Sequence, residues 1–527
     1  MLIQKLLLST HAGYEYTLGD VDRFCVKLNR NGQVSSASAG DILLSRTLGN
    51  PLEGGLGRMF FRVHVGDAIK LHPLLGTFTS LSDFACEENL AQWAGDVAGC
   101  AITLSLRVDV EAATLLWDVS AVNQSAEPVR IDTVWVQDVG LASRGALLSN
   151  EAYTAHYLDE SVFQDATCGP VLSFRQNLQQ AGKNPWMMAV CLTGAASYAT
   201  DAFDVYGNGY RCGEGASGLK QESLANCCYQ YEFSCAALQA KPVELVAKQS
   251  AQFSFAAAYV ADHPEASSAA DLSLLEGMRA LSGQSVCDTL EVQPLPALNQ
   301  IAQSESVHGR DLSLPELQAL FPSKWRHVEN RQGIVMSFFC DTDKHVVTRA
   351  KEAIIERPHG TIIVGDAGTD SIREVLATTV HMCGVFSAQT VYGNTSFHKM
   401  NSLPREPLGL SRVSGVRIYF ETEDGWQVLG TPSVFEMTRD ACRWVYVLDQ
   451  ETITVRVALD SGRDAFTISA STTGAKRCFL VSNELVMGAT ETDSNAALEI
   501  HESDRLLTIA DYSNGLPKER GLNLAFG

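Results

Sequence analysis

The chain has 527 residues, 46% of them hydrophobic and 19% charged, so it is long enough for several cores and typical of a folded globular protein. Its 61 acidic and 40 basic residues give a formal net charge of −21, and no dense run of Lys and Arg offsets that negative field. Nucleic acid and anionic membrane surfaces are therefore excluded as expected partners, and neutral ligands such as sugars are favoured.

Fourteen cysteines are present without a C-x-x-C spacing, and we interpret them as reduced core residues, not as disulfides or metal ligands. The apolar run in the first ten residues, MLIQKLLLST, is too short for a signal peptide. No later stretch approaches the length of a membrane-spanning helix. We expect a cytoplasmic protein that needs no metal and no cofactor.

The first half of the chain has the pattern of successive β-strands. Residues 102–110, ITLSLRVDV, alternate apolar and polar side chains as a half-buried strand requires. Two more strands are predicted in TLLWDVSAV and VRIDTVWVQDV, connected by the turn residues of NQSAEP. In FRVHV, His64 shares a strand face with Arg62, and we expect that face to be solvated. These runs predict a first β-sandwich domain over 1–265.

The pattern changes in the next stretch. The segments AADLSLLEGMRALSG and LSLPELQALFPSKW carry apolar residues at helical spacing, with Ser and Asp placed to cap the helices. Several prolines punctuate the stretch. Residues 266–327 are therefore predicted to form a short helical linker.

Short β-strand patterns return in the second half, in VRIYFE, WQVL, RWVYVL and TITVRVAL. The sequence EDG at 423–425 predicts a hairpin between the first two of these strands. One helix is predicted within 343–356. A second β-sandwich domain is predicted over 328–527, so the fold class is mainly β, with two large β-sandwich domains joined by the linker.

The sequence lacks the usual catalytic signatures. It contains no G-x-x-x-x-G-K-[ST] phosphate loop, no H-E-x-x-H metal helix and no G-x-S-x-G nucleophile elbow. Paired carboxylates would suit glycoside cleavage, but 61 acidic residues single out no pair. The residues alone therefore assign no catalytic group.

The stretch 150–160, NEAYTAHYLDE, gathers polar and aromatic side chains. The rings of Tyr153 and Tyr157 can stack on pyranose faces, and Glu151 and His156 can bind hydroxyl groups. We predict these four residues as sugar contacts. The alternative interpretation is a loop packed on the edge of a sandwich.

The stretch 381–401, HMCGVFSAQTVYGNTSFHKMN, is a second candidate for sugar contact. Its donors and acceptors surround a glycine, which suits a loop that a ligand approaches closely. The candidate residues are Gln389, Tyr392, Asn394 and His398. The alternative is core packing, because the same stretch contains several large apolar residues.

Long segments of the chain resemble the amino-terminal region of glycoside hydrolase family 94 proteins, of the 1,2-β-oligoglucan phosphorylase and cyclic β-1,2-glucan synthase type. They run in order along most of the chain. The segments are EGGLGRMFFRV (53–63), HPLLG (72–76), VWVQDVGLA (134–142), NEAYTAHYLDE (150–160), RQNLQQAGKNPWMM (175–188), ERPHGTII (356–363), HMCGVFSAQTVYGNTSFHKM (381–400) and GVRIYFETEDGWQVLGTPSVFEM (415–437).

In that family, β-sandwich domains precede a helical linker and an (α/α)6 barrel, which holds the general-acid aspartate and the phosphate site. The resemblance implies that the first domain is a galactose-mutarotase-like super-sandwich and that β-glucan oligosaccharides are the ligands. No run of paired long helices follows the linker from which a barrel could close. We therefore expect a binding and scaffolding region, inactive alone, whose partner is a separate (α/α)6 catalytic chain or a second copy in a homodimer.

Two enzymatic alternatives stay open. One is a sandwich-type sugar epimerase or mutarotase, which needs an acid and a base on opposite sides of the ring oxygen and anomeric carbon, with His156 and Glu151 as candidates. The other is a half-enzyme that phosphorolyses only with a separate barrel chain, and whose barrel-facing apolar surface would otherwise be exposed.

Overall fold

The structure is a computed structural model that describes residues 16–230, 233–283, 290–296, 301–365, 375–392, 400–460 and 465–486, together with three later strands. Strands account for 50% and helices for 11% of it, which confirms the mainly-β prediction. The chain divides into two compact units. The first β unit contains Tyr14–Gly207 and Gly215–Gln303, and the second β unit contains Asn208–Glu214 and the residues from Ser304 onward. The three-part division at 265 and 327 stays a prediction.

The first β unit is built mostly from antiparallel strands. Its strands are β1 (Tyr16–Asp20), β2 (Phe24–Leu28), β3 (Val34–Ala39), β4 (Ile42–Leu43), β5 (Arg58–Val65), β6 (Ala68–Pro73), β7 (Asp83–Cys86), β8 (Leu90–Val97), β9 (Cys100–Asp109), β10 (Thr114–Asn123), β11 (Val129–Asp138), β12 (Ala142–Ser143), β13 (Leu158–Asp165), β14 (Gly169–Gln176), β15 (Trp186–Cys191), β16 (Ala195–Asp201), β17 (Ser234–Ala240), β18 (Val243–Leu245), β19 (Ser250–Val260) and β20 (Gln293–Pro294). Its helices are α1 (Arg144–Ser149), α2 (Glu151–Ala155), α3 (Ala202–Tyr206) and α4 (Leu274–Gly283), with short 3-10 helices at Gly218–Lys220 and Ala269–Ser273.

Three sheets enclose the core of the first β unit. A nine-stranded sheet has the order β13-β14-β15-β19-β10-β9-β8-β7-β20, and a six-stranded sheet contains β16-β17-β11-β5-β6 with β18 beside β11. A five-stranded sheet has the order β1-β2-β3-β4-β12. The ring centroids of Trp135 on β11 and Phe255 on β19 lie 6.0 Å apart, so the two larger sheets pack face to face.

The alternation in the sequence sets which face of β9 is buried. Ile102, Leu104, Leu106 and Val108 are all buried in the core, whereas the residues between them are half-buried or exposed. The predicted turn after β10 is built on Asn123. Its side-chain oxygen accepts a hydrogen bond from the backbone N–H of Ser125 at 2.9 Å, and its side-chain amide donates to the carbonyl of Glu127 at 2.8 Å.

The strand face that carries Arg62 and His64 is buried, so the prediction of a solvated face was wrong. The side chain of Arg62 is fully buried, and it donates to the carbonyl oxygens of Leu219 and Gln221 at 3.0 and 2.7 Å. Asp132, on the neighbouring strand β11, lies 2.8 Å from His64 Nε2. Leu219, in the segment that covers this face, is 157 residues after Arg62 in the sequence. The alternation of side chains along one strand carries no information about so distant a segment.

The second β unit also consists mainly of strands. They are β21 (Glu305–Val307), β22 (Arg326–Arg331), β23 (Ile334–Cys340), β24 (Lys344–Thr348), β25 (Gly360–Val364), β26 (Leu376–His381), β27 (Val385–Tyr392), β28 (Val416–Thr422), β29 (Gly425–Leu429), β30 (Val434–Met437), β31 (Ala441–Val447), β32 (Thr452–Leu459), β33 (Phe466–Thr472), β34 (Phe479–Asn483), β35 (Leu498–Ser503), β36 (Leu506–Asp511) and β37 (Leu522–Ala525). Its helices are α5 (Leu314–Leu320) and α6 (Arg349–Glu352), with a 3-10 helix at Asn208–Cys212.

Two seven-stranded sheets form a second sandwich. One has the order β22-β23-β24-β30-β31-β32-β33, and the other contains β21-β29-β28-β27-β26-β25 with β34 beside β28. A three-stranded sheet, β35-β36-β37, follows. Between the large sheets, the rings of Phe386 on β27 and Trp444 on β31 meet edge to face at 5.0 Å. This contact joins the two layers of the second core.

Local predictions for the second half are largely confirmed. The hairpin at 423–425 forms, with Thr422 paired to Gly425 and a positive φ of 115° at that glycine. The helix predicted within 343–356 is only α6, because β24 occupies the first part of the stretch between two neighbouring strands. In the described part of the chain, no helix is both long enough and apolar enough to cross a bilayer.

Candidate functional site

The best-defined candidate surface lies on helix α2 in the first β unit. Asn150 begins this helix, because its side-chain oxygen accepts a hydrogen bond from the backbone N–H of Tyr153 at 2.9 Å. Tyr153 and Tyr157 are four residues apart, so they lie on the same face. Their hydroxyl oxygens are 2.9 Å apart and their rings meet edge to face at 5.1 Å. The structure therefore brings together two of the four predicted residues as a tyrosine pair.

The tyrosine pair is open to solvent. Tyr153 is 51% exposed, and Tyr157 is half-buried. The hydrogen bond with Tyr153 and the electrostatic interaction between the two groups raise the pKa of Tyr157, so the Tyr157 phenol is a neutral hydrogen-bonding group near pH 7. Neutral rings with hydroxyl groups in solvent can both stack on a sugar and bind its hydroxyls.

Glu151 and His156 lie at the two ends of α2. Glu151 is half-buried in the first turn, and His156 is exposed at the position that ends the helix. The backbone carbonyl of His156 accepts a hydrogen bond from the Gln230 side chain at 3.2 Å. A second segment of the chain therefore runs beside the tyrosine pair.

That second segment, 226–230, is held along the edge of the six-stranded sheet. Cys227 makes a parallel bridge to Ala199 on β16, and the backbone N–H of Tyr229 donates a 2.8 Å hydrogen bond to the Thr200 hydroxyl oxygen. Tyr229 is itself 52% exposed. Three exposed or half-buried tyrosines thus lie on two segments that the Gln230–His156 hydrogen bond joins.

Glu160, which sequence reasoning missed, is the most perturbed acid in this region. It lies on β13, both of its carboxyl oxygens are inaccessible to solvent, and burial raises its pKa to about 8. The hydroxyl groups of Thr200 and Ser234 oppose this shift, and the charges of nearby carboxylates add to it. Glu160 is therefore mostly protonated at neutral pH. The hydroxyl groups that oppose the shift lie on β16 and β17, so no local pattern identifies it.

The second predicted stretch lies in the second β unit. Gln389 is half-buried and has a positive φ of 45°, at a bulge where β27 gains a residue relative to β26. Its backbone N–H donates to the carbonyl of Ser402 at 3.2 Å. Tyr392 is half-buried at the end of β27. Asn394 and His398 lie outside the described residues.

Beneath the bulge, a cluster of hydroxyl groups is closed on itself. The oxygens of Thr378, Ser387 and Thr390 lie 2.7 to 2.9 Å from one another, and all three residues are buried. Asn401 accepts a hydrogen bond from the backbone of Thr390 at 2.7 Å. These groups use their hydrogen-bonding capacity on one another, so they stabilise the bulge. They are therefore not candidates for ligand contact, whereas Gln389 at the bulge is.

Two half-buried histidines in the second β unit are held neutral. Burial lowers the pKa of His381, at the start of this stretch, to about 4, and the Arg417 charge adds to the shift. Burial and the charge of Arg349 also lower the pKa of His308 to about 4. His308 Nδ1 accepts a 3.1 Å hydrogen bond from the backbone of Thr431, so its proton is on Nε2. Neither histidine is charged at neutral pH.

In the part of the chain that the structure describes, no three His, Cys, Asp or Glu side chains are grouped to hold a metal ion. The candidate acid and base beside the tyrosine pair are also poorly placed for proton transfer to a sugar. Glu151 and His156 are five residues apart on one short helix, an arrangement that does not place them on opposite sides of a sugar ring. The geometry there supports binding of a hydroxylated ligand better than proton transfer to it.

Two family models match most of the chain. One, described as an SOGP N-terminal domain, matches residues 27–256. The other, described as a glycoside phosphorylase supersandwich domain, matches residues 321–526. The two matches follow the order of the two β units along the chain.

A curated relative is similar over nearly the whole chain. The 1,2-beta-oligoglucan phosphorylase of Listeria innocua serovar 6a is 32% identical over 474 residues. The match covers 90% of this chain and 42% of the relative, so the chain spans less than half the length of the protein it matches.

Solved structures match this fold only with low TM-scores. A polysaccharide lyase is 7% identical with a TM-score of 0.29, and the match covers 90% of this chain and 47% of that one. A galactose 1-epimerase from Lactobacillus acidophilus is 13% identical with a TM-score of 0.27, covering 47% of this chain and 94% of that one. Likenesses of this size carry no argument about function.

Proposed function

Because this chain belongs to glycoside hydrolase family 94, as a counterpart of the amino-terminal region of its phosphorylases, we propose that it binds β-1,2-gluco-oligosaccharides and scaffolds their phosphorolysis. The observation that carries the proposal is the 32% identity to a 1,2-beta-oligoglucan phosphorylase over 90% of the chain. The two matched domains make the function carbohydrate-related. The preference for the β-1,2 linkage and the scaffolding role are what we propose beyond that.

We assign the sugar contact of the first β unit to the tyrosine pair. A pyranose ring stacked on Tyr153 would have the Tyr157 hydroxyl at its rim. Glu151 and His156 are the further contacts that we propose for its hydroxyl groups. The second set of contacts that we propose lies in the second β unit and consists of Gln389, Tyr392, Asn394 and His398. Each set is a binding surface without a catalytic role.

Phosphorolysis itself is proposed to need a helical barrel beyond the two β units. Within the described residues the longest helix is α4, with ten residues, whereas an (α/α)6 barrel is built from paired long helices. The curated relative is more than twice as long as its matched region, which leaves room for such a domain in that protein. We propose that a separate (α/α)6 chain supplies the barrel. A homodimer of the two β units is the other assembly that we propose, as a scaffold without activity of its own.

The epimerase alternative has no observation of its own in favour. Its candidate acid and base, His156 and Glu151, share one helix and do not face each other across a cavity. The rate at which fresh α-glucose mutarotates in the presence of excess protein measures this activity directly. We expect that rate to equal the buffer rate.

Isothermal titration calorimetry of the chain with sophorotriose, and separately with cellotriose, tests the proposed binding. We expect saturable binding of sophorotriose that is tighter than that of cellotriose, since a β-1,2 linkage turns successive rings differently from a β-1,4 linkage. Equal affinity for the two sugars would contradict the proposed linkage. Absence of heat with both, at protein concentrations that report millimolar affinities, would contradict the binding role.

A further inference from the structure

A hollow of about 350 Å³ opens in the second β unit between the end of helix α5 and strand β22. Its lining residues are Gln318, Phe321, Pro322, Ser323 and Trp325. We propose that this Trp325 hollow is a second, separate binding site for a neutral oligosaccharide built of pyranose rings.

The chemistry of the lining selects that class of ligand. The five lining side chains are uncharged, and Asp341 and Arg443, which contact Ser323 and Phe321, are not themselves part of the lining. The lining itself therefore favours a neutral ligand over an ion. A wholly apolar ligand would cover the Gln318 amide without offering it a hydrogen-bonding partner. Aromatic faces beside one amide and one hydroxyl match a pyranose, which has apolar C–H faces and a rim of hydroxyl groups.

The aromatic platform of the hollow is fixed in place. The Trp325 ring stacks on Phe338 with centroids 3.9 Å apart and 12° between the planes. Its indole N–H donates to the carbonyl of Phe321 at 2.9 Å, and the Phe321 ring meets Phe338 edge to face at 5.5 Å. Stacking on Trp325 therefore requires no reordering of the aromatic side chains, which removes a common cost of binding.

The two polar groups retain capacity for a ligand. Gln318 is exposed in the last turn of α5, and no hydrogen bond within the described residues engages its side chain. The Ser323 hydroxyl donates to Asp341, so its oxygen can still accept from a sugar hydroxyl. Helix α5, which presents Gln318, is itself anchored by a capping box between Ser313 and Glu316.

The inference that the hollow binds a neutral pyranose depends only on its lining residues. The choice of a β-1,2-linked probe rests on the proposed function, so the test uses two sugars of different linkage. The complete chain is labelled with 5-fluorotryptophan, and the signal of Trp325 among the seven tryptophans is identified from Trp325→Phe by ¹⁹F NMR. Sophorotriose and cellotriose are then titrated separately.

We expect the Trp325 signal to shift saturably with at least one of the two sugars. Gln318→Ala should weaken that binding about 2- to 10-fold, the effect of one lost hydrogen bond, and Ser323→Ala should act in the same direction. Gln427→Ala, on β29 in the other seven-stranded sheet, is the matched control and should leave the titration unchanged.

A Trp325 signal that stays constant with both sugars would overturn the hollow as a sugar site, and so would an unchanged affinity in Gln318→Ala. The result also separates the two proposals. A shift with cellotriose alone supports the hollow and contradicts the proposed linkage preference. If calorimetry shows sophorotriose binding while the Trp325 signal does not shift, the result supports the proposed function and overturns the proposal that the hollow is a sugar site.

Discussion

Arg62 and Asp132 form a two-point ion pair, with N–O distances of 2.7 and 2.8 Å, in which both side chains are completely buried. The other guanidinium N–H groups donate to backbone carbonyls of the segment that covers this face, at Leu219, Gln221 and Glu222. All five guanidinium N–H groups are therefore engaged. The pair joins strands β5 and β11 to a segment that is distant in sequence.

Replacing Arg62 should destabilise the first β unit strongly. In Arg62→Met the Asp132 carboxylate stays buried without its cation, and breaking a buried pair in this way costs about 3–5 kcal/mol of unfolding free energy. Urea unfolding followed by circular dichroism measures this loss. Arg23→Met is the matched control, because the Arg23–Glu111 pair has the same 2.7 Å separation but is exposed to solvent. Equal midpoints for the two variants would contradict the prediction.

The second β unit should lose stability in mild acid. His308 and His381 have a folded pKa of about 4, whereas an ordinary histidine titrates near 6.5. Between these values the unfolded chain binds protons that the folded unit excludes, so the stabilisation is complete above pH 6.5 and is lost as the pH falls towards 4. Each histidine accounts for about 3 kcal/mol.

Urea unfolding at several pH values between 7.5 and 4.5 checks this. His381→Leu should flatten part of the decline, because it removes one of the histidines that take up a proton on unfolding; His308 and, with a lowered pKa of its own, His345 remain. His327→Gln, at an exposed position, should follow the wild-type curve. A wild-type stability that does not change across this pH range would refute the neutral state of both rings.

Glu160→Gln should stabilise the first β unit in alkaline solution. The folded pKa of about 8 lies above the usual 4.5, so the stabilisation from holding this proton is present below pH 4.5 and is lost as the pH rises through 8. Glutamine cannot ionise, and the variant should therefore exceed wild type by roughly 3–5 kcal/mol at pH 9, with little difference at pH 4.5. Thermal unfolding at the two pH values measures it. Glu88→Gln, at an exposed position, should show no such pH-dependent gain.

Removing the tyrosine pair should weaken sugar binding without unfolding the chain. A stacked aromatic contact is worth about 0.5–1.5 kcal/mol, so Tyr153→Ala should weaken sophorotriose binding about 2- to 12-fold. Tyr153→Phe keeps the ring and loses only the hydroxyl contact to Tyr157, and it should retain most of the affinity. Calorimetry with both variants tests this. An alanine variant that binds as tightly as wild type would remove the tyrosine pair from the sugar surface.

The fold was predictable where it depends on local alternation. Ile102 and Leu104 point to the core because side chains alternate along a strand, and this pattern is complete within a few residues. The predicted helix at 343–356 was mostly wrong for the opposite reason. Lys344–Thr348 is placed between two strands of its sheet, and those pairings override the local helical pattern.

The candidate site was predictable only in part. Tyr153 and Tyr157 are four residues apart, so their meeting follows from helical spacing. The raised pKa of Glu160 depends on groups on β16 and β17, and the burial of His64 depends on a covering segment far along the chain. Such long-range contacts leave no periodic signal. Trp325 was visible as a tryptophan at the end of a helical segment, but its platform needs Phe338 from another strand.

The most direct test of the account is the release of glucose 1-phosphate from sophorooligosaccharides by the purified chain in phosphate buffer. We predict sophorotriose binding by calorimetry and no release above the buffer rate, with release restored when an (α/α)6 barrel chain of the same family is added. Rapid release of glucose 1-phosphate by the chain alone would contradict the proposal that its two β units bind and scaffold without catalysing.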